Sequence, residues 1–264
     1  MPQLLCTVRT CHLPLTREER RCVCPRGHAF DIARSGYINL LQPQERRSRN
    51  PGDSEKAVAA RRRFLDRGHA GPLLDSVISV VKNHHRGHRE HRDILDAGCG
   101  EGYYLGSLGR GSGIDISTAA IDLAARRYPQ CEWIVANADR FIPYADASFD
   151  LVMSITGRMN ATEFRRVLRD DGFLLVAVAA PDDLIELRGR GRDRTERTIA
   201  AFSDFELVRR ERATTVAELT GEEVMDLRSA VYRPGRAGEG ARHHATSITL
   251  SLDLMLFRVS DTAK

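Results

Sequence analysis

The fold of this chain is decided by one stretch, Ile94-Leu95-Asp96-Ala97-Gly98-Cys99-Gly100-Glu101-Gly102-Tyr103-Tyr104. An apolar run that ends in an acid and continues into three alternating glycines is typical of a strand that breaks into a tight turn. Such a turn lets the backbone approach a ligand that a side chain would exclude. A second short apolar strand ends at Asp115, whose carboxylate can accept hydrogen bonds from both hydroxyls of a ribose. Together these features predict a nucleoside site at the carboxyl edge of a parallel sheet.

The acids around the glycines indicate which nucleoside is bound. Asp96 precedes the glycines and Glu101 sits among them, so negative charge lies beside the predicted ligand. A glycine turn that binds a pyrophosphate normally opens into a helix N-terminus, which favours anions. Carboxylates favour a cation instead, and S-adenosylmethionine carries a sulfonium and an ammonium group. The charges therefore favour S-adenosylmethionine over NAD.

From residue 93 onward, segments with strand and helix patterns alternate. They are predicted at 93–97, 104–108, 112–115, 118–127, 132–137, 150–155, 163–168 and 173–179. Two late strand candidates follow, near Phe205–Arg209 and Ile248–Phe257. Such alternation predicts an α/β domain with a parallel sheet and helices on both faces. Before it, one helix is predicted to end near Gly68 and a second to run from about Pro72 to Val81.

The first 36 residues contain too few apolar side chains for a core of their own. A tetrahedral zinc ion is the usual substitute in a small module of a reducing compartment. The most economical ligand set is two pairs, Cys6-x4-Cys11 and Cys24-x3-His28. Cys22 is an alternative to Cys6, because a first pair with four intervening residues is looser than the commoner C-x2-C.

The composition is that of an ordinary globular protein, with 264 residues, 42% hydrophobic, 29% charged and a net charge of +4. No apolar run approaches the roughly 18 residues of a membrane helix, and the N-terminus lacks a signal-peptide pattern. We therefore expect a cytoplasmic protein that does not contact a membrane. Three arginine-rich blocks, at 46–49, 61–63 and 188–197, concentrate positive charge that can contact phosphates.

Several segments carry a family resemblance in their order and spacing. They are Cys11–Leu15, Cys24–Asp31, Gly36–Leu41, Arg47–Asp53 and Ala60–Asp66, followed by the motifs D-A-G-C-G, G-I-D-I-S, N-A-D and F-D-L-V. The motifs resemble those of class I S-adenosylmethionine-dependent methyltransferases. The N-terminal half resembles the bacterial RlmA-type 23S rRNA guanine-N1 methyltransferases. The resemblance implies a Rossmann-like α/β fold with a seven-stranded, mostly parallel sheet, preceded by a small zinc-binding domain.

The resemblance also implies a function, namely methylation of N1 of a guanosine in a 23S rRNA hairpin near the peptide exit tunnel. In some actinobacterial relatives this modification confers macrolide resistance. The implied cofactors are S-adenosylmethionine and Zn²⁺, and the implied partners are 23S rRNA and a second copy of the chain. We expect a zinc-binding RNA-recognition domain at residues 1–36, a linker with helices at 37–92 and the methyltransferase domain at 93–264.

Individual residues take roles from this interpretation. The carried-over zinc ligands are Cys6, Cys11, Cys24 and His28. The residues expected to bind the cofactor follow the strands: Asp96, Gly98, Gly100, Tyr104, Asp115, Ile116, Asn137, Ala138 and Asp139. Arg158 and Asn160 are expected to hold the target base, and Asp53 is the candidate acceptor of the N1 proton.

Two other functions are open from the sequence. One is methylation of a small metabolite or antibiotic. The other is RNA binding by a degenerate methyltransferase fold, because the segment after Ile155 lacks the proline-bearing loop that is usual in the family. The zinc module and the arginine blocks favour the RNA methyltransferase.

Overall fold

The computed structural model describes residues 2–45, 51–84, 93–230 and 246–260. The strands are β1 (Thr16–Arg17), β2 (Arg21–Val23), β3 (Ala29–Asp31), β4 (Ile38–Asn39), β5 (Ile94–Ala97), β6 (Ser112–Asp115), β7 (Glu132–Val135), β8 (Phe149–Ile155), β9 (Leu168–Ala179), β10 (Phe205–Leu219) and β11 (Thr246–Val259). The helices are α1 (Glu55–Asp66), α2 (Gly71–His84), α3 (Tyr103–Leu108), α4 (Thr118–Arg127), α5 (Ala161–Val167), α6 (Ile185–Arg188), α7 (Thr195–Ala201) and α8 (Gly221–Ala230). The arginine block at 46–49 lies outside the described residues.

Eight strands form the main sheet, in the order β10-β11-β9-β8-β5-β6-β7-β4. The strands from β9 to β4 in this order run parallel, whereas β11 is antiparallel to both of its neighbours. From β5 the chain winds outward through β6 and β7, then returns to place β8 on the other side of β5. The carboxyl ends of β5 and β8 therefore flank the point where the winding reverses, which is where ligands bind in such sheets.

The prediction of seven strands was wrong, because the sheet has eight. The additional strand is β4, in which Ile38 and Asn39 pair with Ile134 and Val135 of β7. A strand of two residues is too short to show an alternating hydrophobic pattern. Residues 38 and 39 therefore carry no local pattern that predicts a strand of the main sheet.

The N-terminal module packs directly on one face of the main sheet. Its strands β1, β2 and β3 form a small antiparallel sheet. The module is joined to the larger domain by a bridge between Leu4 and Tyr144 and by a hydrogen bond of 3.0 Å from the amide of Leu5 to the carbonyl of Pro143. Leu4, Leu15 and Phe30 belong to the same buried cluster as the apolar side chains of that face. The two parts therefore share one core.

Helix α1 lies between the C-terminal helix α8 and the carboxyl edge of the sheet. The hydroxyl of Ser54 caps it by accepting a hydrogen bond of 3.2 Å from the amide of Ala57. On the α8 side, Arg63 forms an ion pair with the buried carboxylate of Asp226. No helix in the described part of the chain is long and apolar enough to cross a membrane.

Candidate cofactor and metal sites

The glycine loop after β5 is bent back onto the neighbouring strand. The amides of Gly98 and Cys99 both donate to the carbonyl of Ile114, at 2.8 and 3.0 Å. Gly102 has a φ of +77°, and a Cβ at this position would lie 2.4 Å from the ring of Trp133. Only glycine fits here, because the loop must both turn in the left-handed region and press against a buried aromatic ring. The loop thus presents its backbone at the carboxyl edge of the sheet.

Asp115 connects this loop to the next one. Its Oδ2 accepts a hydrogen bond of 3.0 Å from the amide of Gly100, and its Oδ1 accepts one of 2.8 Å from the amide of Ser117. Burial raises the pKa of Asp115, and the two amide donors act against that shift. The carboxylate is therefore fixed at the point predicted for the ribose.

Among the acids near the glycine loop, Asp96 has the fewest bonding partners. The residue is 1% exposed, and neither carboxylate oxygen has a hydrogen-bond partner among the described residues. Burial, with a contribution from the charge of Asp115, raises its pKa to about 7. A buried carboxylate without a partner is costly, and a cation beside it would remove that cost. The site therefore fits the positively charged groups of S-adenosylmethionine.

Glu101 is also buried, but it has a cationic partner. The Nε of Arg61 donates to its two carboxylate oxygens at 3.0 and 2.7 Å. The charge of Glu101 is therefore compensated within the protein. Consequently, Asp96 and Asp115 favour a cationic ligand, whereas Glu101 does not.

The residues predicted to meet the adenine lie in the loop after β7. The side-chain amide of Asn160 donates to the carbonyls of Ala138 and Asp139, both at 3.1 Å. Asn160 also caps α5, because its Oδ1 accepts from the amide of Glu163. Arg158 lies 3.4 Å from the carboxylate of Asp139 and leaves 74% of its side chain exposed. The β7 and β8 loops are thus bonded together, with Arg158 at the solvent side.

Four further predicted residues lie in or near the loops at this edge of the sheet. Tyr104 is in the first turn of α3, and its ring meets that of Tyr103 edge-on at 5.3 Å. Burial raises the pKa of Tyr104. Asp53 is ion-paired with Arg61, and its backbone carbonyl accepts a hydrogen bond of 3.0 Å from the hydroxyl of Ser117. Ile116 directly follows Asp115, between that carboxylate and the start of α4, and Asn137 is the second residue of the loop after β7.

A second cluster lies in the N-terminal module. The ligand atoms of Cys6, Cys11, Cys24 and His28 lie within 4.8 Å of one another. The Sγ atoms of Cys11 and Cys24 are 3.8 Å apart, and Nδ1 of His28 is 3.4 Å from the Sγ atoms of Cys6 and Cys24. A tetrahedral zinc ion with ordinary bond lengths requires about 3.8 Å between sulfurs and about 3.6 Å between sulfur and nitrogen. The donor set therefore fits zinc, and Cys22, buried in β2, is not part of it.

The sequence did not reveal the role of Arg61. The concentrated charge of the block Arg61-Arg62-Arg63 predicts contacts with phosphates, but in the structure all three side chains form ion pairs within the protein. Arg61 and Glu101 are 40 residues apart, and no local pattern links them.

Comparisons with known proteins agree with this arrangement. Residues 5–49 match the zinc-ribbon family described as RlmA, N-terminal, and residues 94–172 match a methyltransferase domain family. A haloarchaeal structure, a complex of the Haloferax volcanii Trm112 methyltransferase activator with a methyltransferase, has a TM-score of 0.52 at 17% identity and covers 79% of this chain and 96% of that chain. This likeness supports the fold alone. The predicted class I methyltransferase fold with an N-terminal zinc ribbon is confirmed.

Relatives in sequence are more specific. A Bacillus subtilis protein provisionally named 23S rRNA (guanine-N1-)-methyltransferase is 38% identical over 62% of this chain, and the match spans 59% of the relative's own length. The 23S rRNA (guanine(748)-N1)-methyltransferase of Streptomyces fradiae is 32% identical over 79% of this chain and 78% of its own length. Identity of this extent shows the family, so this chain belongs to the RlmA-type 23S rRNA (guanine-N1-)-methyltransferases.

Proposed function

We propose that this protein transfers a methyl group from S-adenosylmethionine to N1 of a guanosine in 23S rRNA. The observation that carries the proposal is the unpartnered carboxylate of Asp96, which lies beside Asp115 at the carboxyl edge of the sheet. This arrangement favours a nucleoside that bears a positive charge. The names of the relatives from Bacillus and Streptomyces support 23S rRNA as the methyl acceptor.

The cofactor pocket is proposed to use the residues at the ends of β5, β6 and β7. S-adenosylmethionine, when bound, supplies a methyl group on a sulfonium sulfur. Asp96 would face its cationic part, Asp115 the ribose hydroxyls and Asp139 the exocyclic amine of adenine. The glycine loop would exclude water from one side, and its compact backbone would allow close approach.

The target base is proposed to enter from the side of β8. Guanine N1 is hidden in a base pair, so the nucleotide must leave its helix or lie in a loop before it reaches the pocket. Arg158 is the most exposed of the predicted target-site residues and would hold the base, while Asn160 keeps the β7 and β8 loops together. Asp53 remains the candidate proton acceptor from the sequence, although its neighbours Arg61 and Asp115 favour a role beside the cofactor.

The N-terminal module is proposed to bind the RNA. Zinc held by Cys6, Cys11, Cys24 and His28 would give the module a rigid surface, which suits recognition of RNA shape and phosphates. We propose residues 1–36 as the recognition domain, 37–92 as the connecting segment and 93–264 as the methyltransferase domain. The shared core between module and sheet supports concerted placement of RNA and cofactor.

We also propose the location of the target nucleotide, the effect of its methylation, and the oligomeric state and cellular location of the protein. The target is a 23S rRNA hairpin near the peptide exit tunnel, and its methylation confers macrolide resistance. The protein acts as a homodimer in the cytoplasm, where ribosomes are assembled. Membership of the RlmA-type family supports these points, and the name of the Streptomyces relative makes the guanosine at position 748 the first nucleotide to examine.

Methyl transfer with purified components tests the proposal. Protein-free 23S rRNA from a strain that lacks the gene is incubated with the protein and S-adenosylmethionine labelled in its methyl group. We expect label in 23S rRNA and none in 16S rRNA. Asp115→Ala is expected to lower incorporation by at least about 10²-fold, because it removes the carboxylate that joins both loops.

Two results would contradict the proposal. Label in a small metabolite or antibiotic but not in 23S rRNA would favour the small-molecule methyltransferase. Binding of 23S rRNA without measurable binding of S-adenosylmethionine would favour a non-catalytic relative.

A further inference from the structure

Arg61 of α1 reaches across to two acids at the cofactor loop. Its guanidinium bonds to both carboxylate oxygens of Glu101 and to one oxygen of Asp53. The side chain of Glu101 is 3% exposed, while those of Arg61 and Asp53 are about one quarter exposed. Burial opposes the charged form of Arg61, but the bonds to Glu101 and Asp53 outweigh it and raise the pKa of the guanidinium. The guanidinium is therefore held in its charged form, and its bond to Glu101 is largely withdrawn from solvent.

The same guanidinium holds a short segment that crosses the two cofactor loops. Gly52 has a φ of +84°, and a Cβ there would lie 2.8 Å from the side chain of Ser117, so the backbone is pressed against the start of α4. The next residue, Asp53, accepts from the Ser117 hydroxyl through its carbonyl and bonds to Arg61 through its carboxylate. We call residues 51–54 the strap. The strap touches the loop after β6 directly and the loop after β5 through Arg61.

The charges explain why an arginine occupies this place. Four carboxylates meet at this edge: Asp53, Asp96, Glu101 and Asp115. Arg61 pairs with two of them, and backbone amides hold Asp115. Asp96 is left without a bonded partner among the described residues. A planar guanidinium can bond two acids at once, which a single ammonium group does less well.

We infer that Arg61 is a positioning residue for the cofactor, which it serves by fixing the glycine loop through Glu101 and the strap through Asp53. This inference rests on the proposed use of S-adenosylmethionine. It makes α1, in the N-terminal half of the chain, part of the cofactor pocket. Without Arg61, Glu101 would be a buried charge without a partner, and the loop that contains it would move to reach solvent.

Binding of S-adenosylmethionine to the full-length, zinc-loaded protein tests the inference. We expect Arg61→Gln to raise the dissociation constant by about 10²-fold, and to raise KM for the cofactor more than it lowers kcat. The double variant Arg61→Gln/Glu101→Gln should bind S-adenosylmethionine at least about tenfold more tightly than Arg61→Gln alone, because the buried charge of Glu101 is then also removed. Arg63→Gln is the matched control, since it breaks an ion pair of α1 with the buried Asp226 away from the cofactor loop. It should lower the melting temperature and leave the affinity unchanged.

Affinities within twofold of wild type for Arg61→Gln would overturn the inference, as would an equal loss in Arg63→Gln. If Arg61→Gln fails to fold, Arg61→Lys and the double variant make the same comparison, and unchanged affinity in both overturns the inference. Absence of binding by the wild-type protein would contradict the proposed function and the inference together. If the wild-type protein binds S-adenosylmethionine and the Arg61 variants bind it with the same affinity, only the inference about Arg61 is contradicted.

Discussion

Three acids lie at one sheet edge, the buried Asp96 and Glu101 and the half-buried Asp115, and each has different bonding partners. Glu101 is compensated by the guanidinium of Arg61, and Asp115 by two backbone amides. Asp96 has no hydrogen-bond partner among the described residues. The ionised form of Asp96 therefore destabilises the protein, and either protonation or a cationic ligand removes this cost. Because these two events compete, we expect binding of the cofactor to depend on pH if Asp96 faces its cationic part.

Affinity for S-adenosylmethionine is expected to rise with pH up to about 7, the pKa of Asp96 in the free protein. Below that pH the carboxyl is protonated, and binding of a cation must release the proton. The affinity then falls by up to about tenfold per pH unit. Above that pH the carboxylate is already ionised, so Asp96 contributes no further change. Calorimetry between pH 5.5 and 8.5, in buffers of different ionisation enthalpy, measures both the affinity and the released proton.

Asp96→Asn is the control for this prediction. The amide does not titrate, so the variant should bind more weakly and without the change below pH 7. The ammonium group of the ligand titrates in both proteins and cancels in the comparison. The interpretation of Asp96 is wrong if wild type and variant show the same pH dependence.

At the scale of elements, the zinc module and the loop after β7 support each other. The ring of His12, next to Cys11 of the cysteine and histidine cluster, stacks on Phe141 with centroids 4.2 Å apart and planes at 10°. The guanidinium of Arg166, which is on α5, lies 5.0 Å from the centre of the Phe141 ring. The loop after β7, which contains the predicted adenine contacts, is thus packed against the N-terminal module. Order in one is expected to depend on order in the other.

Zinc analysis of two cysteine variants tests the ligand set. We expect Cys24→Ser to lose the metal and to lower the melting temperature, because a structural zinc site contributes directly to folding. Cys22→Ser should keep about one zinc per chain, since Cys22 is buried in β2 and outside the cluster. Metal content by mass spectrometry and thermal unfolding measure these effects. Retention of zinc in Cys24→Ser, or its loss in Cys22→Ser, would contradict the set.

Elements with a local signal were predictable from the sequence, and the others were not. The positions of the glycine loop and of Asp115 were predictable, because adjacent residues in the sequence show both the end of a strand and the turn that follows it. The strand β10 runs from Phe205 to Leu219, well beyond the predicted end at Arg209. The charged residues at 209–212 interrupt the hydrophobic pattern that would predict a strand. β10 is an edge strand, and many of its side chains face solvent and need not be apolar.

For the whole molecule, long-range contacts limit what the sequence reveals. The sheet, the zinc cluster and the cofactor edge were predictable, because the residues of each motif that indicates them lie close together in the chain. The ion pair between Arg61 and Glu101 and the strand β4 depend on how distant segments meet. Such contacts join the N-terminal half to the cofactor pocket. The protein is therefore expected to act as one unit that places RNA and methyl donor together.

We propose that this protein methylates N1 of a guanosine in 23S rRNA. The most direct test is mass spectrometry of 23S rRNA fragments from cells that lack the gene, cells complemented with it and cells complemented with Asp115→Ala. We predict one guanosine that carries a methyl group on N1 in the complemented strain only. Identical fragments in all three strains, or a methyl group on another atom of the base, would contradict the claim.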